Sequence, residues 1–236
     1  MTSLPLVFAN RDLLVVNKPA GWLSVPSRQG ADDPRPVVGL ALQEQLGCRL
    51  WPVHRLDEEV SGLLLFARTA AAHRTLCAAF EDHVIEKTYH AQCQGLAPAD
   101  APMHRWVRWS STLLRGKKRA YVHPAGKSAI TDVWLQTEDA SGLHFFLRPR
   151  TGRGHQLRVE LARRGCPIVG DTLYGAGARE GTSGIALRAV SLSFSAYKDA
   201  SILHLPSLIV VPECPPLPPA QTPSGREQTD PSARPV

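Results

Sequence analysis

Asp57 stands in His54-Arg55-Leu56-Asp57-Glu58-Glu59, a charged run set almost directly against Gly62-Leu63-Leu64-Leu65-Phe66-Ala67. The apolar run is too short to cross a membrane and too apolar for a surface loop, so it reads as a buried strand. Arg55 and Asp57 then lie at the rim of a core, where a charge is costly unless it pairs, binds something or reacts. An ionised Asp held there can serve as a nucleophile or a general base. The same residues can equally form a structural Arg–Asp pair that fixes a strand end. Arg55 is two residues from Asp57, so in an extended segment the two side chains point to one side. His54 either shapes this loop or is simply structural.

Two further segments carry concentrated charge. Arg150-Thr151-Gly152-Arg153-Gly154-His155-Gln156-Leu157-Arg158 is followed by Gly170-Asp171-Thr172-Leu173-Tyr174-Gly175, and Arg148, Arg150 and Arg153 cluster ahead of Arg158. Between Arg105 and Arg119 lie Arg105, Arg108, Arg115, Lys117, Lys118 and Arg119, with Trp106 and Trp109 and no acid. Basic residues supply phosphate affinity, and exposed aromatic rings can stack on splayed bases. The bland alternative is a solvated hairpin whose Trp rings belong to the core. Arg163 and Arg164 read as the solvated face of a basic helix. The Gly residues from Gly175 to Gly184 mark a loop rather than a cofactor cradle, and no His, Cys or acid spacing suggests a metal.

The elements that must position these residues follow from pattern. Leu4–Phe8, Leu13–Asn17, Gly62–Ala67, Lys87–Cys93, Ala129–Thr137, Leu143–Leu147 and Val190–Ser195 read as strands. A helix over Val37–Leu46 stops at Gly47, Thr69 caps an Ala-rich helix reaching about His83, and Gln156–Arg164 forms a third ending at Gly165. Strands outnumber helices without alternating with them, which favours an α+β domain over a doubly wound one. One catalytic stretch is expected over 1–214. From Pro215 onward Pro, Ser, Thr, Gln and Gly dominate, so residues 215–236 are expected to be a disordered tail.

These segments together resemble the RluA-type RNA pseudouridine synthases. The first matches that family's His-Arg-Leu-Asp-x-x-Thr-Ser-Gly-Leu-Leu-Leu block, and Gly152–Arg158 matches its Gly-Arg-Thr-His-Gln-Ile/Leu-Arg block. Asp12–Gly21, with Asn17-Lys18-Pro19-Ala20-Gly21, looks like its opening strand and Lys-Pro-x-Gly turn. Glu86–Ala91 resembles its Lys-x-Tyr-x-Ala block, and Gly126–Thr131 and Ala186–Ala189 fit two weaker ones. Three positions depart from the pattern: Val60 replaces a Thr, Gly154 a Thr or Ser, and Glu160 a common His.

The resemblance implies a mixed, mainly antiparallel sheet and an isomerisation that converts uridine to pseudouridine without cofactor or metal. It matches Asp57 to the catalytic Asp, Arg158 to a cation facing it, and Tyr89 to a ring that stacks on the uracil near the proton transfer. Read alone, Tyr89 is equally a core aromatic on a strand. The target base must leave the RNA stack, and Arg55 is suited to brace the vacated space. Arg55, His54, Arg105, Arg108, Lys117, Lys118, Arg119 and Arg153 form the expected RNA-binding set. The expected partner is a ribosomal or transfer RNA stem-loop, with no obligate protein partner and no N-terminal S4-type domain. Two other readings remain at this point: an RNA-binding protein without catalysis, and a nucleoside hydrolase using Glu58 or Glu59.

Composition is compatible with this. The chain has 236 residues, a net charge of +6 and 43% hydrophobic residues, which suits a globular protein with a polyanionic partner. The N-terminus lacks the basic and long apolar regions of a signal peptide. Five Cys with no Cys-x-x-Cys spacing argue against a disulfide framework, so a cytoplasmic location is expected.

Overall fold

The computed structural model describes residues 3–179, 181 and 184–220, except for the side chain of Ala31. Along the chain come β1 (Leu6–Ala9), β2 (Leu13–Lys18), α1 (Val38–Leu46), β3 (Trp51–Pro52), β4 (Ser61–Ala67), α2 (Ala70–Glu81), β5 (Glu86–Cys93) and β6 (Trp106–Arg115). They are followed by β7 (Ala120–Val122), β8 (Lys127–Asp139), β9 (Gly142–Pro149), α3 (Gln156–Ala162), β10 (Leu187–Ser193) and β11 (Leu208–Val210). The chain folds as two compact units. One holds Met1–Lys87 and Gly181–Pro215, the other Thr88–Glu180 and Pro216–Val236.

In the first unit the Gly-led apolar run becomes β4, buried along nearly its whole length. It lies between β2, antiparallel, and β10, parallel, so both edges of the ladder are filled. Consecutive residues, which point to opposite faces, are all buried from Gly62 to Ala67, which is why its sequence is continuously apolar rather than alternating. Gly62 makes the parallel pairing possible. At φ +110° a Cβ there would fall 2.2 Å from the Ala189 carbonyl oxygen, so a side chain is excluded. β1 extends the sheet beyond β2, β11 pairs with β10, and the short β3 pairs with β4. Gly47 ends α1 in the left-handed conformation, and the Thr69 hydroxyl accepts from the Ala72 N–H to start α2, both as the sequence leads one to expect.

In the second unit the strand order is β5-β9-β8-β6-β7, all antiparallel. Within the two units only β4–β10 is parallel among the described strand pairs, in keeping with the expected mixed, mainly antiparallel α+β fold. β6 and β7 form a hairpin that the sequence reading left without assigned strands. α3 is short and almost wholly buried, with Gln156, Leu157, Arg158, Val159, Glu160 and Leu161 all shielded.

Of the expected tail, Pro215–Ala220 is described and 221–236 lies outside the described residues. The described part is seated: Pro218 is buried, and the Trp106 indole donates to the Pro219 carbonyl at 2.9 Å. Part of the loop expected over Gly175–Gly184 also lies outside the described residues.

Candidate active site

Asp57 sits in the loop between β3 and β4, and the loop is anchored through its backbone. The Leu56 N–H donates to Ser24 Oγ at 3.0 Å, and that hydroxyl donates back to the Leu56 carbonyl at 2.9 Å. The Asp57 carbonyl accepts from the Val60 N–H, the Glu58 carbonyl from the Gly21 N–H, and the Glu59 carbonyl from the Ile185 N–H. Gly184 closes against the same loop, since a Cβ there would lie 2.8 Å from the Glu59 carbonyl oxygen and 2.3 Å from the Ala20 Cβ. Leu56 is buried, Arg55 is exposed and the Asp57 side chain is half-buried. The backbone that carries the Asp57 carboxylate is thereby fixed in place.

Beneath the loop lies Lys18, fully buried, a residue the sequence placed in a motif but to which it assigned no role. Its Nζ donates to the carbonyls of Pro19 at 2.9 Å, Trp22 at 2.7 Å and Glu58 at 3.0 Å. An ammonium has three N–H donors, and all three are used. Burial lowers its pKa to about 8, opposed by the charges of Glu58, Asp57 and Glu59. Glu58 itself pairs with Arg35, so it is a loop anchor rather than a second catalytic acid.

His54 was an expected RNA contact and is instead structural. Its Nε2 accepts from the Leu65 N–H at 3.1 Å and its ring stacks on Phe80 at 4.8 Å between centroids. Burial, helped by the Lys87 charge, lowers its pKa to about 3, so it carries no charge with which to hold phosphate.

In the second unit Arg158 is buried and donates from Nε and Nη2 to the two Asp171 oxygens at 2.7 and 2.8 Å. This bidentate geometry fixes the guanidinium plane. The Arg158 guanidinium lies 5.3 Å from the Tyr174 ring centroid. The Tyr174 hydroxyl accepts from the Ala120 N–H, donates to the Ala120 carbonyl and meets His155 Nδ1 at 3.0 Å. Burial raises the pKa of that hydroxyl. The sequence gives Asp171 no assigned role, although its place in the Gly170–Gly175 stretch that follows an arginine block is a signal that could have found it. Tyr89 is buried on β5 opposite Leu147.

The basic segment Arg105–Arg119 divides. At the β6–β7 tip Arg115, Lys117, Lys118 and Arg119 are exposed, and the turn is closed by the Gly116 N–H on the Arg119 carbonyl. The tip lies beside the Arg158 segment, because Arg115 Cδ would contact a Cβ at Gly154 at 3.7 Å. Arg153, half-buried, donates to the Ser128 carbonyl in the same region. Arg105 and Arg108 are not gathered there. Arg115 lies seven positions along β6 from Arg108, roughly 23 Å. Arg108 also shares the buried Asp132 carboxylate with Arg150, both at 2.7 Å, so its charge is already engaged. Trp106 and Trp109 are core residues, which leaves neither ring open for base stacking.

The reading of Arg163 and Arg164 as solvated is corrected. Both pair with the buried Glu160, and Arg164 also pairs with Asp100 and stacks on Trp109 with its Cζ 3.8 Å from the ring centroid. Glu160, the departure from the expected His, is thus the carboxylate these arginines require, and Ser111 donates to it as well. Val60 is buried in the core. No group of three or more His, Cys, Asp or Glu able to hold a metal occurs among the described residues. No described helix is long and apolar enough to cross a membrane.

A family model described as RNA pseudouridylate synthase matches residues 12–163. Ribosomal large subunit pseudouridine synthase D of Zymomonas mobilis is 35% identical over 184 residues, covering 73% of this chain and 56% of the relative. The dual-specificity RNA pseudouridine synthase RluA of Vibrio vulnificus is 34% identical, with 80% of this chain and 76% of the relative covered. The chain spans only about half the length of some curated relatives, 49% in the case of tRNA pseudouridine synthase C of Pectobacterium carotovorum. Among solved structures, human RNA pseudouridylate synthase domain containing 1 superposes with a TM-score of 0.66 at 26% identity, over 81% of this chain and 78% of that one.

Proposed function

Because the chain belongs to the RNA pseudouridylate synthase family, we propose that it isomerises a uridine in ribosomal or transfer RNA to pseudouridine, with Asp57 as the reacting carboxylate. The observation that carries this is the Asp57 loop. Its backbone is pinned at each carbonyl from Leu56 to Glu59, and a buried ammonium lies beneath it. A structural Arg–Asp pair would need neither.

The reaction breaks the bond between ribose C1′ and uracil N1, turns the base, and joins C1′ to C5. The C5 proton is lost and N1 gains one, so nothing is hydrolysed. An ionised Asp57 serves either by attacking the nucleotide and being released, or by abstracting the proton that permits elimination. The uridine reaches it by leaving the stack, and exposed Arg55, two residues away, braces the gap. Tyr89 and Arg158 are proposed to serve the same reaction on the strength of their motif match. Tyr89 supplies a ring and hydroxyl, and Arg158 a cation whose plane Asp171 has already set. Names of relatives support both RNA classes: one acts on the large ribosomal subunit, another on tRNA, a third is called dual-specificity.

The test is single-turnover conversion of uridine to pseudouridine, with release of free uracil followed in parallel. Asp57→Asn keeps the shape and removes the reactive oxyanion, so conversion should vanish while RNA affinity is retained. Conversion by a folded Asp57→Asn protein would overturn the assignment. Free uracil from the parent would favour hydrolysis, and binding without either product would favour a non-catalytic RNA-binding protein.

A further inference from the structure

The first residues of the expected tail lie on an aromatic site in the second unit. Trp106 on β6 and Trp134 on β8 are register partners, with ring centroids 5.6 Å apart. The Arg148 guanidinium from β9 covers the Trp106 ring at 4.1 Å. Both Trp106 and Arg148 are more than nine-tenths buried. Their donors point at the tail backbone: Trp106 Nε1 reaches the Pro219 carbonyl at 2.9 Å and Arg148 Nη1 the Ala220 carbonyl at 3.4 Å.

The segment they hold is Pro216-Leu217-Pro218-Pro219-Ala220. Proline fixes φ near −65° and has no N–H, and each residue ahead of a proline is driven to extended backbone. Such a sequence is therefore a preformed polyproline II helix, with outward carbonyls and no internal hydrogen bonds. Aromatic grooves whose indole N–H meets a carbonyl are a recurrent way to recognise this conformation, because little ordering entropy remains to be lost.

We propose that Trp106, Trp134 and Arg148 form a binding site for proline-rich extended peptide, and that its resident ligand is the chain's own Pro216–Ala220 segment. Being tethered, that segment is present at an effective concentration on the order of millimolar and excludes weaker external peptides.

The test uses the full chain with ¹⁵N-labelled tryptophan. Trp22, Trp51, Trp106, Trp109 and Trp134 give separate indole signals, with Trp106 assigned from Trp106→Phe. In the parent the Trp106 N–H should exchange slowly with solvent and ignore added Ser-Pro-Pro-Leu-Pro-Pro-Ala peptide. Replacing Pro218 and Pro219 together by Gly frees the backbone, and Trp106 exchange should quicken at least about tenfold. The free peptide should then shift the Trp106 signal and restore its protection. Unchanged signals from Trp22, Trp51 and Trp109, which lie outside the site, show that the fold is intact. Slow exchange retained in the double-Gly variant, fast exchange in the parent, or a Trp106 signal in that variant indifferent to the peptide would each overturn the proposal.

Discussion

The β6–β7 tip and the α3 region are two arginine-rich stretches of the same unit that use their charge in opposite ways. At the tip, Arg115, Lys117, Lys118 and Arg119 point into solvent, and the whole stretch from Arg105 to Arg119 contains no acid. In and after α3, each arginine meets a carboxylate: Arg158 meets Asp171, while Arg163 and Arg164 meet Glu160. A buried cation without a partner is several kcal/mol unfavourable, whereas an exposed one costs almost nothing to leave alone. Residue type is thus a poor guide to role. What separates a binding surface from a scaffold is whether the fold delivers an acid to each base.

The sharpest way to break this contrast is at Arg158, which is both scaffold-paired and proposed for catalysis. Arg158→Met should lower single-turnover rates by about 10²–10³-fold, the loss typical of removing a preorganised charge at a reacting centre. RNA affinity should be little changed, and Lys should rescue only in part because it lacks the planar fork. Weak binding with a normal saturated rate would make Arg158 a phosphate contact like those at the tip.

Glu160→Ala asks whether α3 is scaffold. It leaves Arg163 and Arg164 without their shared carboxylate and should destabilise the fold by about 3–5 kcal/mol in urea unfolding. A change below about 0.5 kcal/mol would place these arginines with the solvated ones.

His54 offers a third case, a half-buried basic group held uncharged by desolvation. Its folded pKa of about 3 lies below the ordinary 6.5, so the unfolded chain takes up the proton first as pH falls. The stability it contributes is complete above pH 6.5 and is lost between there and pH 3, by at most about 1.4 kcal/mol per pH unit. His54→Gln keeps an acceptor for the Leu65 N–H and should flatten that part of the pH–stability curve. An unaltered slope would mean that His54 is not the titrating group.

The smallest effect on the fold is expected at the tip. Neutralising Lys117, Lys118 and Arg119 together should shift stability by no more than about 0.5 kcal/mol. RNA affinity should fall, and the slope of log affinity against log salt should become shallower by about 0.7–0.9 per lost phosphate contact. The rate for fully bound RNA should hold. A salt titration that returns the parent slope would remove the tip from the RNA surface.

Much of the scaffold was legible because its signals are local. The continuous apolar run predicts β4, Thr69 predicts the start of α2, and Gly47 predicts the end of α1, each from residues within a turn of the feature itself. The β6–β7 hairpin was not read as strands, because charges and hydroxyls interrupt its alternation and its Trp rings resemble either core or binding surface. Arg163 and Arg164 were misread for a related reason. The second partner of Arg164, Asp100, is more than sixty positions away, and Glu160 looked like an ordinary helix acid.

What the sequence by itself determined is the chemistry on offer: an Asp at the mouth of a buried strand, an arginine in a Gly-rich block, and the family to which their order belongs. Periodicity and motif order are properties of neighbours along the chain, so they survive without coordinates. Only the tertiary structure decided which charges are spent. It turned Lys18 inward onto three carbonyls, gave Arg158 the two oxygens of Asp171, discharged His54 and seated a proline-rich segment on Trp106. Each of these outcomes depends on desolvation and on partners brought in by folding, and burial is a property of position in space that no local pattern of residues encodes.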